Sequence, residues 1–293
     1  MGYNMAGKFT STRRSTRRRY TRRYARKRTR TTVRRKAPIR RLVSKRRILN
    51  VASKKKQDNM PAYAVNSDGT GGALGGVNFV ALGVGNVTAF AWCATARDRV
   101  SNLGDNNATS VRSADLVYMR GLKERLTVMT DSQMSWRWRR ITFTCKGPVG
   151  SLSSTAQETS NGWVRLMRPL TSANLGTLRD YLFRGATGLD NLSPMNAKVD
   201  TNRVTLKSDV TRVLSSGNDS GKFFRFNHWY PMNKNLLYSN DELGEGTTAD
   251  AYSTLGRAGM GDYYVIDLFE SVVADNASHL RIEPQATLYW HEK

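Results

Sequence analysis

The stretch "MSWRWRRITFTCKG", residues 134–147, decides the fold class. Its side chains alternate, with Trp136 and Trp138 facing one way and Arg137 and Arg139 the other. That period of two is the mark of a half-buried β-strand. Two readings of the alternation coexist. Two core tryptophans can sit beneath an exposed arginine face, or the interleaved aromatics and arginines can stack bases and grip phosphates. On the second reading Arg137 and Arg139 are candidate nucleic-acid ligands.

The same pattern recurs on both sides of this stretch. "VTAFAWCAT" (87–95) sets Phe90 and Trp92 on one face and mostly small residues on the other. "VYMRGLKERLTVMT" (117–130) alternates Leu122, Leu126 and Val128 with Lys123, Arg125 and Thr127, although Glu124 interrupts the apolar face. Further strands are predicted within 163–170, 198–216, 222–231, 262–272 and 279–290, separated by Gly, Asn, Asp and Ser turns. In "TSANLGTLRDYLFRG" (171–185), Leu175, Leu178 and Leu182 fall at helical spacing, with Ser172 placed to cap the start and Gly185 the end. One helix among many strands is an insertion, so the expected class is an all-β sandwich or barrel. "SDGTGGALGG" (67–76) is a Gly-rich connection and lacks the Gly-Lys-Ser/Thr of a phosphate loop.

Charge divides the chain. The 293 residues carry a formal net charge of +24, from 47 Lys and Arg against 23 Asp and Glu. Residues 1–56 hold 23 of the basic residues and no acid, so the rest is close to neutral. A segment so charged and so poor in apolar residues cannot bury a core. The division expected is a disordered basic arm, 1–56, and a β domain, 57–293. The candidate nucleic-acid ligands of the arm are Arg13, Arg14, Arg17, Arg18, Arg19, Arg22, Arg23, Arg26, Lys27, Arg28, Arg30, Arg34, Arg35 and Lys36. They would bind phosphates with counterion release, and arginine adds a bidentate grip. The clusters Arg40, Arg41, Lys45, Arg46, Arg47, Lys54, Lys55 and Lys56 also read as a nuclear localisation signal.

Chemistry is sparse. His228, His279 and His291 lack metal-ligand spacing, no histidine pairs with a cysteine in a zinc pattern, and no nucleophile motif occurs. No enzyme activity, metal or cofactor is expected. Cys93 and Cys145 are too few for a disulfide framework. Five Asn-x-Ser/Thr sequons (at Asn86, Asn107, Asn191, Asn218 and Asn276) read as chance matches without a secretory route. The N-terminus lacks the apolar core of a secretory signal, and its Arg clusters are too dense for the amphipathic face of a mitochondrial one. No run of 18 apolar residues is present, so no membrane partner is expected.

A near-neutral β domain with a cationic tail fits a viral coat protein or a non-assembling nucleic-acid-binding module, ribosomal or chromatin-associated. The motifs "RRILNVASKKKQDNM" (46–60), "FAWCATARDR" (90–99), "VYMRGLKERL" (117–126), "WRWRRITFTCKG" (136–147) and "KFFRFNHWYPMNKNLLYSNDE" (222–242) resemble the capsid proteins of genomoviruses. The layout is also similar to that of geminivirus coat proteins. The resemblance implies a single eight-stranded viral jelly roll with a short helical insertion. It further implies a T=1 icosahedral shell made by the chain with copies of itself, a circular single-stranded DNA genome as partner, and residence in the virion and the host nucleus. A host nuclear import receptor would read the signal. On that fold Cys93 would lie on the first core strand and Cys145 on the third, with another strand between them, leaving two free buried thiols. The roughly 60 arms of such a shell would bring on the order of 1,400 charges, matching a genome of one to a few kilobases.

Overall fold

The structure is a computed structural model that describes residues 44–99, 108–150, 152, 154–248 and 250–293. The chain divides into Met1–Ser44 and a compact unit, Lys45–Lys293. The compact unit opens with helix α1 (Lys45–Ala52) and is otherwise built mainly from strands. The principal strands are β1 (Lys54–Ala64), β2 (Val77–Leu82), β3 (Thr88–Cys93), β4 (Leu116–Thr130), β5 (Trp136–Cys145), β6 (Thr205–Leu214), β7 (Lys222–Leu237), β8 (Asp262–Ser271) and β9 (Ala274–Glu292). Helix α2 (Ser172–Leu182) lies between β5 and β6. The all-β expectation holds.

These strands form two antiparallel sheets. The larger has the order β7-β4-β9-β1, and the smaller β6-β5-β8-β3. β1 and β2 are two parts of one edge line. Residues 54–61 pair with the C-terminal half of β9, the chain loops out, and β2 pairs with the N-terminal half in the same direction.

The sheets pack face to face through two apolar clusters. One contains Trp92, Leu122, Val265, Leu288 and Trp290; the other contains Phe90, Leu126, Trp136, Trp138, Phe269 and Ile282. Trp136 and Trp138 therefore point into the core, as one reading of the alternation predicts. Burying side chains of this kind contributes about 1.5–3 kcal/mol each.

The smaller sheet is covered on its other side as well. Ala89, Ala91, Cys93, Ile141, Phe143, Tyr264 and Leu268 pack against Leu178, Leu182, Phe183 and Val199 from the segment around α2. The small side chains of β3 leave room for this layer. Its cover explains why β8, "DYYVIDLFES", is buried at every position. Thr171, not Ser172, caps α2: its hydroxyl accepts from the Asn174 N–H at 3.2 Å. The helix ends at Phe183, before Gly185.

Two expectations change. Residues 45–56, assigned to a disordered arm, form α1 and the start of β1. Lys54, Lys55 and Lys56 pair with Glu292, His291 and Trp290. This run of charge is tolerated in a strand because Lys56 turns inward to meet Glu292 at 3.2 Å and the Val111 carbonyl at 2.7 Å, while Lys54 and Lys55 face solvent. The sandwich thus begins one strand earlier than expected. Cys93 and Cys145 accordingly lie on β3 and β5 of the smaller sheet, with β8 between them, and both are free and buried.

Candidate nucleic-acid interface

The basic residues divide into those committed inside the fold and those left facing solvent. Arg13 to Lys36, with Arg40 and Arg41, lie outside the described residues. Of the other candidate nuclear-localisation residues, Lys45, Arg46 and Arg47 fall on α1, and Lys54 and Lys55 are exposed at the start of β1, whereas Lys56 is buried against Glu292.

Arg137 and Arg139 share a face of β5, as their alternation predicts, but each is committed to a carboxylate. Arg137 pairs with Glu270. Arg139 grips both oxygens of Asp209, at 2.9 and 2.6 Å, and donates to the Pro194 carbonyl at 2.7 Å. The layer around α2 covers Arg139, so neither arginine on this face of β5 is a free phosphate ligand.

Arg140, the next residue, points inward with the tryptophans. It joins a buried ring of four charges. Its guanidinium meets both oxygens of Asp267, at 2.6 and 2.8 Å, and Glu124 Oε2 at 2.5 Å. Arg165 closes the ring on Glu124 Oε1 and Asp267 Oδ2, both at 2.9 Å. Trp138 Nε1 donates to Asp267 at 2.8 Å, and Arg165 lies over the Trp92 ring at 4.3 Å. Glu124, which interrupts the apolar face of β4, thus has two cationic partners. Burial would raise the Asp267 carboxyl, but Arg140 and Arg165 hold it below the usual carboxylate range. Two positive and two negative groups leave the ring neutral, and its substituents bridge the sheets. It is a structural device, since a buried charge survives only when paired and hydrogen-bonded.

A second buried carboxylate has no ion-pair partner among the described residues. Asp262 opens β8 and accepts from the Ser253 N–H and hydroxyl and from the Thr95 hydroxyl. Burial pushes its carboxyl up to about 6.

Neither protein-family models nor curated proteins yield a match to this chain. The functional reading therefore rests on charge, strand order and surface.

The surface in question is the outer face of the larger sheet, which among the described residues carries no second layer comparable to that around α2. Side chains that alternate with the core positions of β4, β7 and β9 come together there. Lys123 lies opposite Trp229, Arg125 opposite Asn227, and Thr127 opposite Arg225. On the other side of β4, Lys123 pairs with Thr287 and Gly121 with Tyr289. Among the described residues no carboxylate lies within ion-pair distance of Lys123, Arg125 or Arg225, and the one acidic side chain on these rows, Glu283, is taken by Arg281. The Trp229 and Tyr289 rings meet edge to face, with centroids 5.8 Å apart. Sequence reading misses this constellation because its members sit on three strands far apart in the chain. The signal was the exposed-phase aromatic and basic residues of "KFFRFNHWYP" and "GLKERL".

Proposed function

We propose that the chain is the capsid subunit of a small single-stranded DNA virus of the genomovirus type. It assembles with copies of itself into a T=1 shell and packages the genome through its arginine-rich N-terminus. The observation that carries this reading is the order of the strands. Counting β1 and β2 as one line, the eight lines run first, eighth, third, sixth in one sheet and second, seventh, fourth, fifth in the other. This order supports reading the sandwich as a jelly roll, the eight-stranded double sheet of viral capsids, lectins and cupins. Fold alone does not choose among these. The basic N-terminus favours the capsid, because 23 cations without an acid in residues 1–56 are suited to a polyanion. The nuclear-targeting role of Arg40 to Arg47 belongs to the same proposal, with a host import receptor as reader.

The test is nuclease treatment of the full-length protein expressed with a single-stranded circular replicon. A closed shell keeps its DNA intact through digestion at salt that strips exposed protein–DNA contacts. DNA that is bound but fully digested would instead make the chain a non-assembling nucleic-acid-binding module.

A further inference from the structure

We propose that the outer face of the larger sheet, centred on Trp229 and Tyr289, is a second nucleic-acid site that stacks unpaired bases. The inference rests on the capsid reading for its ligand, single-stranded DNA, but its argument is independent of the arm.

Three observations carry it. Trp229 is a large aromatic left 48% exposed on a strand whose alternate residues Phe224, Phe226 and Tyr230 are half-buried against the core. With Tyr289, Lys123, Asn227 and His228 it lines an open depression of about 450 Å³. The bed beneath it is built for a flat ring. A Cβ at position 121 would come within 2.7 Å of Trp229 Cζ2, so glycine there lets the indole lie across the sheet. Around this platform Lys123, Arg125 and Arg225 are unpaired among the described residues, while Glu283 on the same face is held by Arg281.

Exposed aromatics beside a row of cations are the parts of a sequence-tolerant single-strand site. Rings take the faces of the bases, and Lys and Arg take the phosphates. Duplex DNA fits less well, because its base faces are already stacked. A two-fold contact with another copy through the same face would set Lys123, Arg125 and Arg225 against their own counterparts, and like charges repel.

The experiment is ultraviolet crosslinking of the full-length protein to a single-stranded oligonucleotide carrying 5-bromodeoxyuridine, followed by peptide mapping. Crosslinks are expected in peptides covering 222–231 and 285–291 as well as in the arm. Trp229→Ala should weaken the sheet crosslinks about tenfold and leave those of residues 1–43 unchanged. Trp229→Phe, which keeps a stacking ring and guards against a folding defect, should retain most of them. Crosslinks confined to the arm of the unaltered protein would overturn this site and leave the capsid reading standing. Equal competition by duplex DNA for the sheet crosslinks would overturn base stacking. No crosslink anywhere would overturn both readings.

Discussion

The carboxylates of Glu124 and Asp267 stand on opposite sheets and are held by the same two guanidiniums. Arg140 and Arg165 each bond to both acids, and all four side chains are almost wholly buried. The ring locks β4 to β5, β8 and the short strand Arg165–Met167. Removing the charge of one member leaves the remaining three with an uncompensated net charge in the core. Glu124→Gln or Arg165→Met should therefore cost about 3–5 kcal/mol in urea unfolding. A loss below about 1 kcal/mol would show that the ring does not clamp the sheets.

Asp262 gives the fold a pH dependence of defined sign. Its carboxyl rises from an ordinary value of 3.8 to about 6 on folding, chiefly through burial. Between those values the folded state keeps a proton that the unfolded state has lost. Its stabilising contribution is complete below about pH 3.8, falls as pH rises towards 6, and is flat above, for a total of up to about 3 kcal/mol. Other carboxylates, such as Asp267 and Glu292, are held low and act in the opposite direction at more acid pH. The difference between the protein and Asp262→Asn isolates this contribution. Unfolding free energies measured from pH 4 to 6.5 should show the gap between the two proteins changing by this amount across that window. A constant gap would contradict the assignment.

Much of this fold can be read from short-range pattern. The alternation of Trp136 and Trp138 with Arg137 and Arg139 predicts their opposite faces, and the spacing of Leu178 and Leu182 predicts the buried side of α2. Local pattern fails where the partner is remote. Lys54 to Lys56 look like a continuation of the arm because the strand that accommodates them lies at the far end of the chain. Glu124 looks like a flaw in its strand until Arg140 and Arg165 are brought to it. The Trp229–Tyr289 platform depends on the register of both strands against β4. Alternation shows which face a side chain takes; only tertiary pairing shows what it meets there.

The two thiols should be inert in the folded protein. Cys93 and Cys145 are buried, burial pushes the Cys145 thiol up to about 12 and the Cys93 thiol well above its ordinary value, and β8 separates their strands. Thiolate is the reactive form, so alkylation should be slow until the chain unfolds. Mass spectrometry after native and denaturing treatment with iodoacetamide should find no adduct in the first case and two in the second. Rapid native labelling, or an internal disulfide after mild oxidation, would refute this packing.

Gly121 is predicted to be intolerant of any side chain. An added Cβ would approach the Tyr230 carbonyl oxygen to 2.6 Å as well as the Trp229 indole. Gly121→Val should lower stability by about 1–3 kcal/mol and displace the indole. Thermal unfolding reads the first effect, and the wavelength of tryptophan emission compared with that of Trp229→Phe reads the second. An unchanged melting temperature together with unchanged emission would mean that the sheet face is less closely built than described.

The central claim is that this sandwich closes into a shell. Electron microscopy of the purified full-length protein, across a range of salt and pH, tests it most directly. The account predicts uniform isometric particles of the size of a 60-subunit shell, with density for nucleic acid inside. A monomer or small oligomer that binds single-stranded DNA under every condition, and never closes, would contradict it.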